Sequence, residues 1–320
     1  MKRRTFIQGV GSAAAISLPF ASHAQGFPNQ AFRVYGGFGP GSTTDVVSRL
    51  IAPLLQQSLG QTVVIDNIQG AAGNIAASTV AKAKPDGYTL LAATNSMLGT
   101  NPHLIPQSGI ALDTFTPIVT MCHIGLVIVA GPSAPAGNLS AVLGASTKQG
   151  LNYGTPGVGT PMHLIGELLR ERSKGNLTHV AYKGGAAMIQ DLAGGQIPLG
   201  IVAYTPAAGL IKSGKLRALA VCGGSRLAAL PQVPAVPEII PGVTMGAWCA
   251  LMAPAGTPEA IARQIGAATE KALDMPKIRE QLVEMGCDRL VGGPDLVRQL
   301  TQAEYNLSGD LIRRLNIKAG

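Results

Sequence analysis

Short apolar runs that alternate with stretches of helical period predict an α/β protein, built from parallel sheets with helices on both faces. Two further observations shape that expectation. Removing an expected leader at 1–24 from the 320 residues leaves 296, more than one hydrophobic core usually organises, so two domains are expected. Two glycine-rich turns, Gly39-Pro40-Gly41-Ser42-Thr43-Thr44-Asp45 and Gly154-Thr155-Pro156-Gly157-Val158-Gly159-Thr160-Pro161, each run from an apolar segment into a helical one. Ligands of open α/β sheets sit outside the carboxyl ends of the strands, which is where both turns fall.

Taken in order, 32–37, 62–67, 89–94, 126–130, 151–154, 178–182, 199–204, 218–222 and 248–253 read as strands, being short and apolar. Between and after them, 45–59, 74–83, 162–173, 186–193, 205–213, 259–272, 276–285 and 294–314 carry the helical period. The apolar stretch 118–130 is broken by Cys122, His123 and Gly125 and reads as buried strand, not as a membrane span.

At the N-terminus, Arg3-Arg4 precede an apolar run at 9–20, and Ser22-His23-Ala24 supplies a small-x-small cleavage signal. That run is shorter than the ~20 apolar residues a spanning helix needs. The reading is a cleaved, twin-arginine-like signal peptide at 1–24 and a periplasmic protein, although Gln8 departs from the lysine often found in such leaders. Loss of Lys2, Arg3 and Arg4 takes the formal charge from +8 to +5. A mildly basic product suits anionic small ligands. Nucleic acid is not suggested: the basic residues are scattered, and only six Phe and six Tyr are present to stack on bases.

Each turn offers backbone N–H groups, hydroxyl caps and the positive end of a helix dipole, which together hold an anion without a metal. Gly36 and Gly41 have the spacing of a nucleotide phosphate loop, but Ser42 stands where that loop requires lysine, so a nucleotide triphosphatase is rejected. Four cysteines, Cys122, Cys222, Cys249 and Cys287, leave three pairings open in an oxidising compartment, and the first three sit in apolar strands where a buried thiol is the commoner outcome. Without Cys-x-x-Cys or histidines at ligand spacing, neither a metal nor another cofactor is expected. The lone histidines His103, His123, His163 and His179 come with no nucleophile elbow or paired carboxylates, so no catalytic residue is assigned.

Phe38-Gly-Pro-Gly-Ser-Thr-Thr-Asp45, Asn67-Ile-Gln-Gly-Ala-Ala-Gly-Asn-Ile75, Lys84-Pro-Asp-Gly-Tyr-Thr-Leu90, Leu151-Asn-Tyr-Gly154 with Gly159-Thr-Pro-Met-His163, Val180-Ala-Tyr-Lys-Gly-Gly185, Gly214-Lys-Leu-Arg-Ala-Leu-Ala220 and Ala253-Pro-Ala-Gly-Thr-Pro258 occur in this order. With these motifs the chain resembles the Bug, or TctC, family, the extracytoplasmic solute-binding proteins of tripartite tricarboxylate transporters. The resemblance implies a type II periplasmic binding fold, two Rossmann-like lobes joined by two crossover segments. It places lobe 1 at 25–121 plus 249–320 and lobe 2 at 122–248, with hinges near 120–125 and 242–248. It also implies delivery of a small carboxylate to membrane permease subunits, by a protein that is itself a monomer.

Carried onto this sequence, the resemblance makes Gly39, Gly41, Ser42, Thr43, Thr44 and Asp45 one half of the ligand site. Thr155, Gly157, Gly159, Thr160 and His163 are the other half, and Thr94, Asn95 and Ser96 line the cleft between. Lys183 is assigned to its own turn. Many relatives carry an Asp-Asn pair where this chain has Val202 and Ala203, followed by Tyr204. This disfavours an amino acid: the expected ligand is a mono- or dicarboxylate with an uncharged or aromatic body, with Tyr204 a possible lining residue, the alternative being that Val202 and Ala203 only fill core volume. A sensor using the same cleft is the alternative to a transport receptor, and an enzyme ranks last.

Overall fold

The computed structural model describes residues 26–318, and the signal peptide expected at 1–24 lies outside them. β1 (Phe32–Gly36), α1 (Thr43–Leu59), β2 (Val63–Asn67), α2 (Asn74–Ala81), β3 (Thr89–Thr94), α3 (Asn101–Leu104) and β4 (Phe115–Ile124) begin the first lobe. The second consists of β5 (Leu126–Ala130), α4 (Leu139–Gln149), β6 (Leu151–Thr155), α5 (Pro161–Ser173), β7 (Leu177–Ala181), α6 (Gly185–Ala193), β8 (Leu199–Ala203), α7 (Tyr204–Lys212), β9 (Arg217–Val221) and α8 (Val236–Ile239). The chain then returns to the first lobe through β10 (Ala247–Pro254), α9 (Glu259–Leu273), α10 (Pro276–Glu284), β11 (Cys287–Arg289) and α11 (Pro294–Leu315).

The strand orders are β11-β4-β10-β3-β1-β2 in the first sheet and β7-β6-β8-β5-β9 in the second. The sheets are mixed, where the alternation of elements predicts parallel ones. β1 pairs in parallel with β2 and β3, and β6 with β7 and β8. β10 runs antiparallel to β3 and β4, and β5 antiparallel to β8 and β9. Every antiparallel pair involves β4, β5 or β10, the strands by which the chain changes lobe, and β11 joins this set by pairing antiparallel to β4.

α1 shows how the sequence sets an element. Ser42 caps its start by accepting from the Asp45 amide, and Gly60 ends it in the left-handed region at φ 69. Val47, Ile51, Leu55 and Leu59 recur every fourth residue and are buried against the sheet, each contributing about 1.5–3 kcal/mol. Sequence periodicity missed α3, α4, α8 and β11. In α4 the stretch Leu-Ser-Ala-Val-Leu-Gly-Ala-Ser-Thr-Lys-Gln is rich in small and hydroxylated residues and carries a weak apolar stripe.

Both lobe changes are tight. Gly125 alone separates β4 from β5; its amide donates to Gly286 O at 2.9 Å, and its carbonyl accepts from the Tyr204 amide at 2.8 Å. A Cβ at Gly125 would lie 2.4 Å from Gly286 O, so a side chain is excluded there. On the return, the Met245 amide still bonds Cys222 O, whereas Gly246 O already accepts from Asn95 of the first lobe. Cys122, His123 and Ile124, expected in the second lobe, pair with Cys249, Trp248 and Ala247 across β4 and β10, which places Ala247 and Trp248 in the first sheet as well. That ladder runs to the very ends of both strands, so the chain leaves the sheet only after Ile124 and rejoins it at Ala247.

Candidate ligand site between the lobes

The two glycine-rich turns are built on one plan. Gly41 and Gly159 adopt φ 79 and 78, a region that costs other L-residues about 1–2 kcal/mol. The next residue caps the helix in each: Ser42 accepts from the Asp45 amide and Thr160 from the His163 amide. The side chain three residues further on then reaches back. Asp45 Oδ2 accepts from Gly41 N at 2.9 Å, and His163 Nδ1 accepts from Gly159 N at 3.3 Å.

Between the turns lies a cavity of about 480 Å³, lined from both lobes. From the first come Gly39, Gly41, Ser42, Thr43 and Thr44 of the α1 turn, with Thr94, Asn95 and Ser96 after β3; from the second come Thr160, Val202 and Ala203. Further lining residues are Gln69, Pro156, Met162, Gly185, Ala186 and Pro206, which bring the starts of α6 and α7 to the same space. Four helix N-termini thus converge. Neither α6 nor α7 has a side-chain cap. The amides of Thr43, Thr44, Met162, Gly185 and Ala186, all lining residues, have no backbone partner among the described residues. The same lining contains no Lys, Arg, His, Asp or Glu.

The lobes touch around this cavity. Thr43 Oγ1 donates to Thr205 Oγ1 at 3.0 Å, and Thr205 Oγ1 donates in turn to Met285 O at 2.9 Å. Arg314 on α11 pairs with Glu171 on α5. A Cβ at Gly159 would meet Leu104 Cδ1 of the first lobe at 2.6 Å.

Several expected site residues do not line the cavity. Asp45 is buried behind its turn, with Oδ1 accepting from Arg49 at 2.8 Å and Asn67 at 2.6 Å. Gly159 and His163 act behind the second turn in the same way, and Thr155 Oγ1 is 2.7 Å from His179 Nε2. These residues brace the cradles and are not among the lining residues. Gly157 lines a neighbouring cavity of about 620 Å³, on whose wall the exposed Lys183 also lies. Tyr204 is fully buried and absent from the lining: its amide is fixed to Gly125 O, and its ring packs where any side chain on Gly286 would fall. Of the lining residues the sequence reading passed over, Gly185 had a legible signal, since Gly-Gly before a helical run marks an N-terminus without a side-chain cap.

A polar group stands behind the second turn. His163 and His179 stack with ring centres 3.9 Å apart, and burial holds both below the ordinary histidine range, His179 at about 4. Each is therefore neutral at pH 7, as the bond from Gly159 N to Nδ1 requires. Glu167 accepts from Tyr153 Oη at 2.7 Å and Arg170 Nη2 at 2.6 Å. Burial alone would raise its carboxyl, but these donors hold it below the usual value. On the first lobe, burial raises the Glu304 carboxyl against the opposing hydrogen bonds of Asn95 and Ser308.

Two α/β lobes joined by two short crossings, with helix N-termini facing an interlobe cavity, define a binding protein of the periplasmic type. Residues 47–317 match the tripartite tricarboxylate transporter family receptor, TctC, and the chain belongs to that family. Protein BugT of Bordetella pertussis is 30% identical over 318 residues, covering 98% of this chain and 96% of its own. R. palustris Rpa4515, solved with adipate, is 30% identical, with a TM-score of 0.88 over 92% of this chain and 100% of its own. MatC (Rpa3494) from Rhodopseudomonas palustris, solved with bound malate, is 31% identical, with a TM-score of 0.81 over 89% of this chain and 100% of its own.

Proposed function

We propose that this chain captures a small carboxylate between its lobes and delivers it to the membrane permease subunits of a tripartite tricarboxylate-type transporter. The observation that carries this reading is the cavity lining, which has no charged side chain and yet presents free amides at the starts of α1, α5 and α6. An anion is the ligand such a surface favours. A hydrogen bond to a charged group contributes about 1.5–3 kcal/mol, so three or four amides supply several kcal/mol before shape is counted. The relatives solved with adipate and malate hold ligands of this class.

Val202, Ala203, Met162 and Pro206 offer apolar walls and no carboxylate for an ammonium group. The ligand is thus a carboxylate with an uncharged or aromatic body, and an amino acid is disfavoured. Contacts such as Thr43 to Thr205 exist only while the lobes are together, so a ligand touching both shifts the population towards closure about Gly125 and Gly246. The site of action is the periplasm, reached by export and cleavage after Ala24.

Calorimetric titration of 25–320 with adipate, malate, benzoate and glutamate tests the reading. A carboxylate without an amino group should bind tightest, and X-ray scattering should show compaction at saturation. Tightest binding of glutamate, or no binding by any of the four, would count against it. Co-purification with the permease subunits tests delivery.

A further inference from the structure

Cys122 on β4 and Cys249 on β10 stand directly opposite one another in the antiparallel ladder, with their sulfurs 3.4 Å apart. Both are fully buried. Cys287, the first residue of β11 on the strand beside β4, pairs with Ile124 and its thiol faces Met285 O, whereas Cys222 lies beyond β9 in the other lobe. Directly opposed residues of antiparallel strands have Cα atoms roughly 4.5–5.5 Å apart, inside the ~4.4–6.8 Å that a disulfide spans. Bond formation at this pair needs side-chain rotation and no new backbone path.

We propose that Cys122 and Cys249 are a disulfide-forming pair, oxidised by a thiol–disulfide oxidant as β4 and β10 come together. A thiolate of the pair attacks the oxidant's disulfide and displaces one thiol; the second thiolate then attacks the mixed disulfide and displaces the other. One S–S bond is formed and one is broken. The pair loses two electrons, the oxidant gains them, and the two thiol protons end on the departing thiols. The position gives this bond a structural consequence. β4 ends at the Gly125 crossing and β10 begins at the return crossing, so a link from 122 to 249 encloses the whole second lobe and ties the roots of both connections. A covalent loop of that length removes a large part of the unfolded chain's freedom.

The test uses the full mature chain, unfolded in reductant and refolded with reduced and oxidised glutathione. Recovery of fold is followed by circular dichroism, and free thiols are alkylated before peptide mapping. Expected are a linked peptide pair joining Cys122 to Cys249, alkylated Cys222 and Cys287, and a Tm about 5–10 °C above that of the same protein refolded in dithiothreitol. Cys287→Ser should keep the linked pair, and Cys249→Ser should lose both the pair and the Tm difference. Should Cys249→Ser fail to fold, the comparison with dithiothreitol-refolded wild type stands alone. Four alkylated cysteines in refolded protein, a link between any other two, or loss of the link in Cys287→Ser would overturn the proposal.

Discussion

The turns that open α1 and α5 share a left-handed glycine, a hydroxyl cap and a side chain that reaches back to the glycine amide, yet they differ in what stands behind and in front of them. Behind α1 the reaching group is Asp45, whose charge is balanced by Arg49 and whose carboxylate also accepts from the Asn67 side-chain amide. Behind α5 it is the neutral His163, stacked on His179. In front, a Cβ on Gly41 would meet nothing within 4 Å, whereas one on Gly159 would meet Leu104 of the opposite lobe. One local geometry serves two tasks: the first turn presents amides, and the second also sets how closely the lobes approach.

The largest effect should come from breaking that second task. Gly159→Ala and Gly41→Ala each strain a backbone at nearly the same φ, costing about 1–2 kcal/mol of stability. Only Gly159→Ala also obstructs closure. In titrations with adipate or malate it should lose affinity at least about tenfold, while Gly41→Ala stays within about threefold, since 1.4 kcal/mol lost in closure alone is a factor of ten. Equal losses would show that the turns are equivalent and that the Leu104 contact is incidental.

His179, behind the second cradle, and Glu304, on α11 of the first lobe, should respond to pH in opposite directions. His179 is held at about 4 against an ordinary 6.5, so the unfolded chain takes up a proton that the folded chain resists. Stability is therefore complete above about pH 6.5 and lost as pH falls towards 4. Allowing for its partial exposure, the loss is about 1–2 kcal/mol. Glu304 is raised, so its contribution is present below the ordinary 4.5 and lost as pH rises through its folded value. Thermal melts should show His179→Gln flattening the slope between pH 4 and 6.5, and Glu304→Gln raising Tm more at pH 8 than at pH 5. Parallel slopes in both variants would contradict the assignment of a neutral imidazole pair to one lobe and a strained carboxyl to the other.

Removing the caps sharpens the comparison on a smaller scale. The two cap bonds are alike, 3.4 Å from the Asp45 amide to Ser42 Oγ and 3.3 Å from the His163 amide to Thr160 Oγ1. Thr160 Oγ1 also donates to Gly157 O at 2.8 Å, whereas the second partner of Ser42 Oγ is Thr44 Oγ1 at 3.3 Å. Urea unfolding should therefore place the loss for Thr160→Ala above that for Ser42→Ala, around a typical cap value of about 1 kcal/mol.

The same contrast explains what the sequence made legible. Period and turn chemistry located β1, α1, β6 and α5 within a residue or two, because a left-handed glycine followed by a hydroxyl cap is a local signal. The motifs also brought Thr43 and Thr160 to one cavity. Whether a motif residue faces the cavity or supports it from behind depends on the direction of a side chain within the turn, so Asp45 and His163, both expected at the ligand, stand outside the cavity lining and bond the glycine amides of their turns. Tyr204 was misjudged for a related reason: the Gly286 backbone that receives its ring is far away in sequence. Antiparallel entry of β5 and β10 was likewise invisible, since strand direction follows from where the chain changes lobe. Ile124 and Ala247 line the cavity only because the crossings bring their strand ends together.

The smallest expected effect concerns the ion pair that bridges the lobes at a distance from the turns. Arg314 and Glu171 keep 45% and 33% of their side-chain surface exposed, and such pairs typically contribute about 0.2–1 kcal/mol, less as salt rises. Because the pair joins α11 to α5, its strength counts only when the lobes are closed, so Glu171→Gln should weaken adipate or malate binding by no more than about threefold and leave the Tm without ligand almost unchanged. The deficit should shrink as salt is raised from about 0.05 to 0.5 M. A larger, salt-independent loss would mean that α5 itself had moved, and with it the Thr160 cradle, which would make the second turn dependent on the far end of its helix in a way the first turn is not.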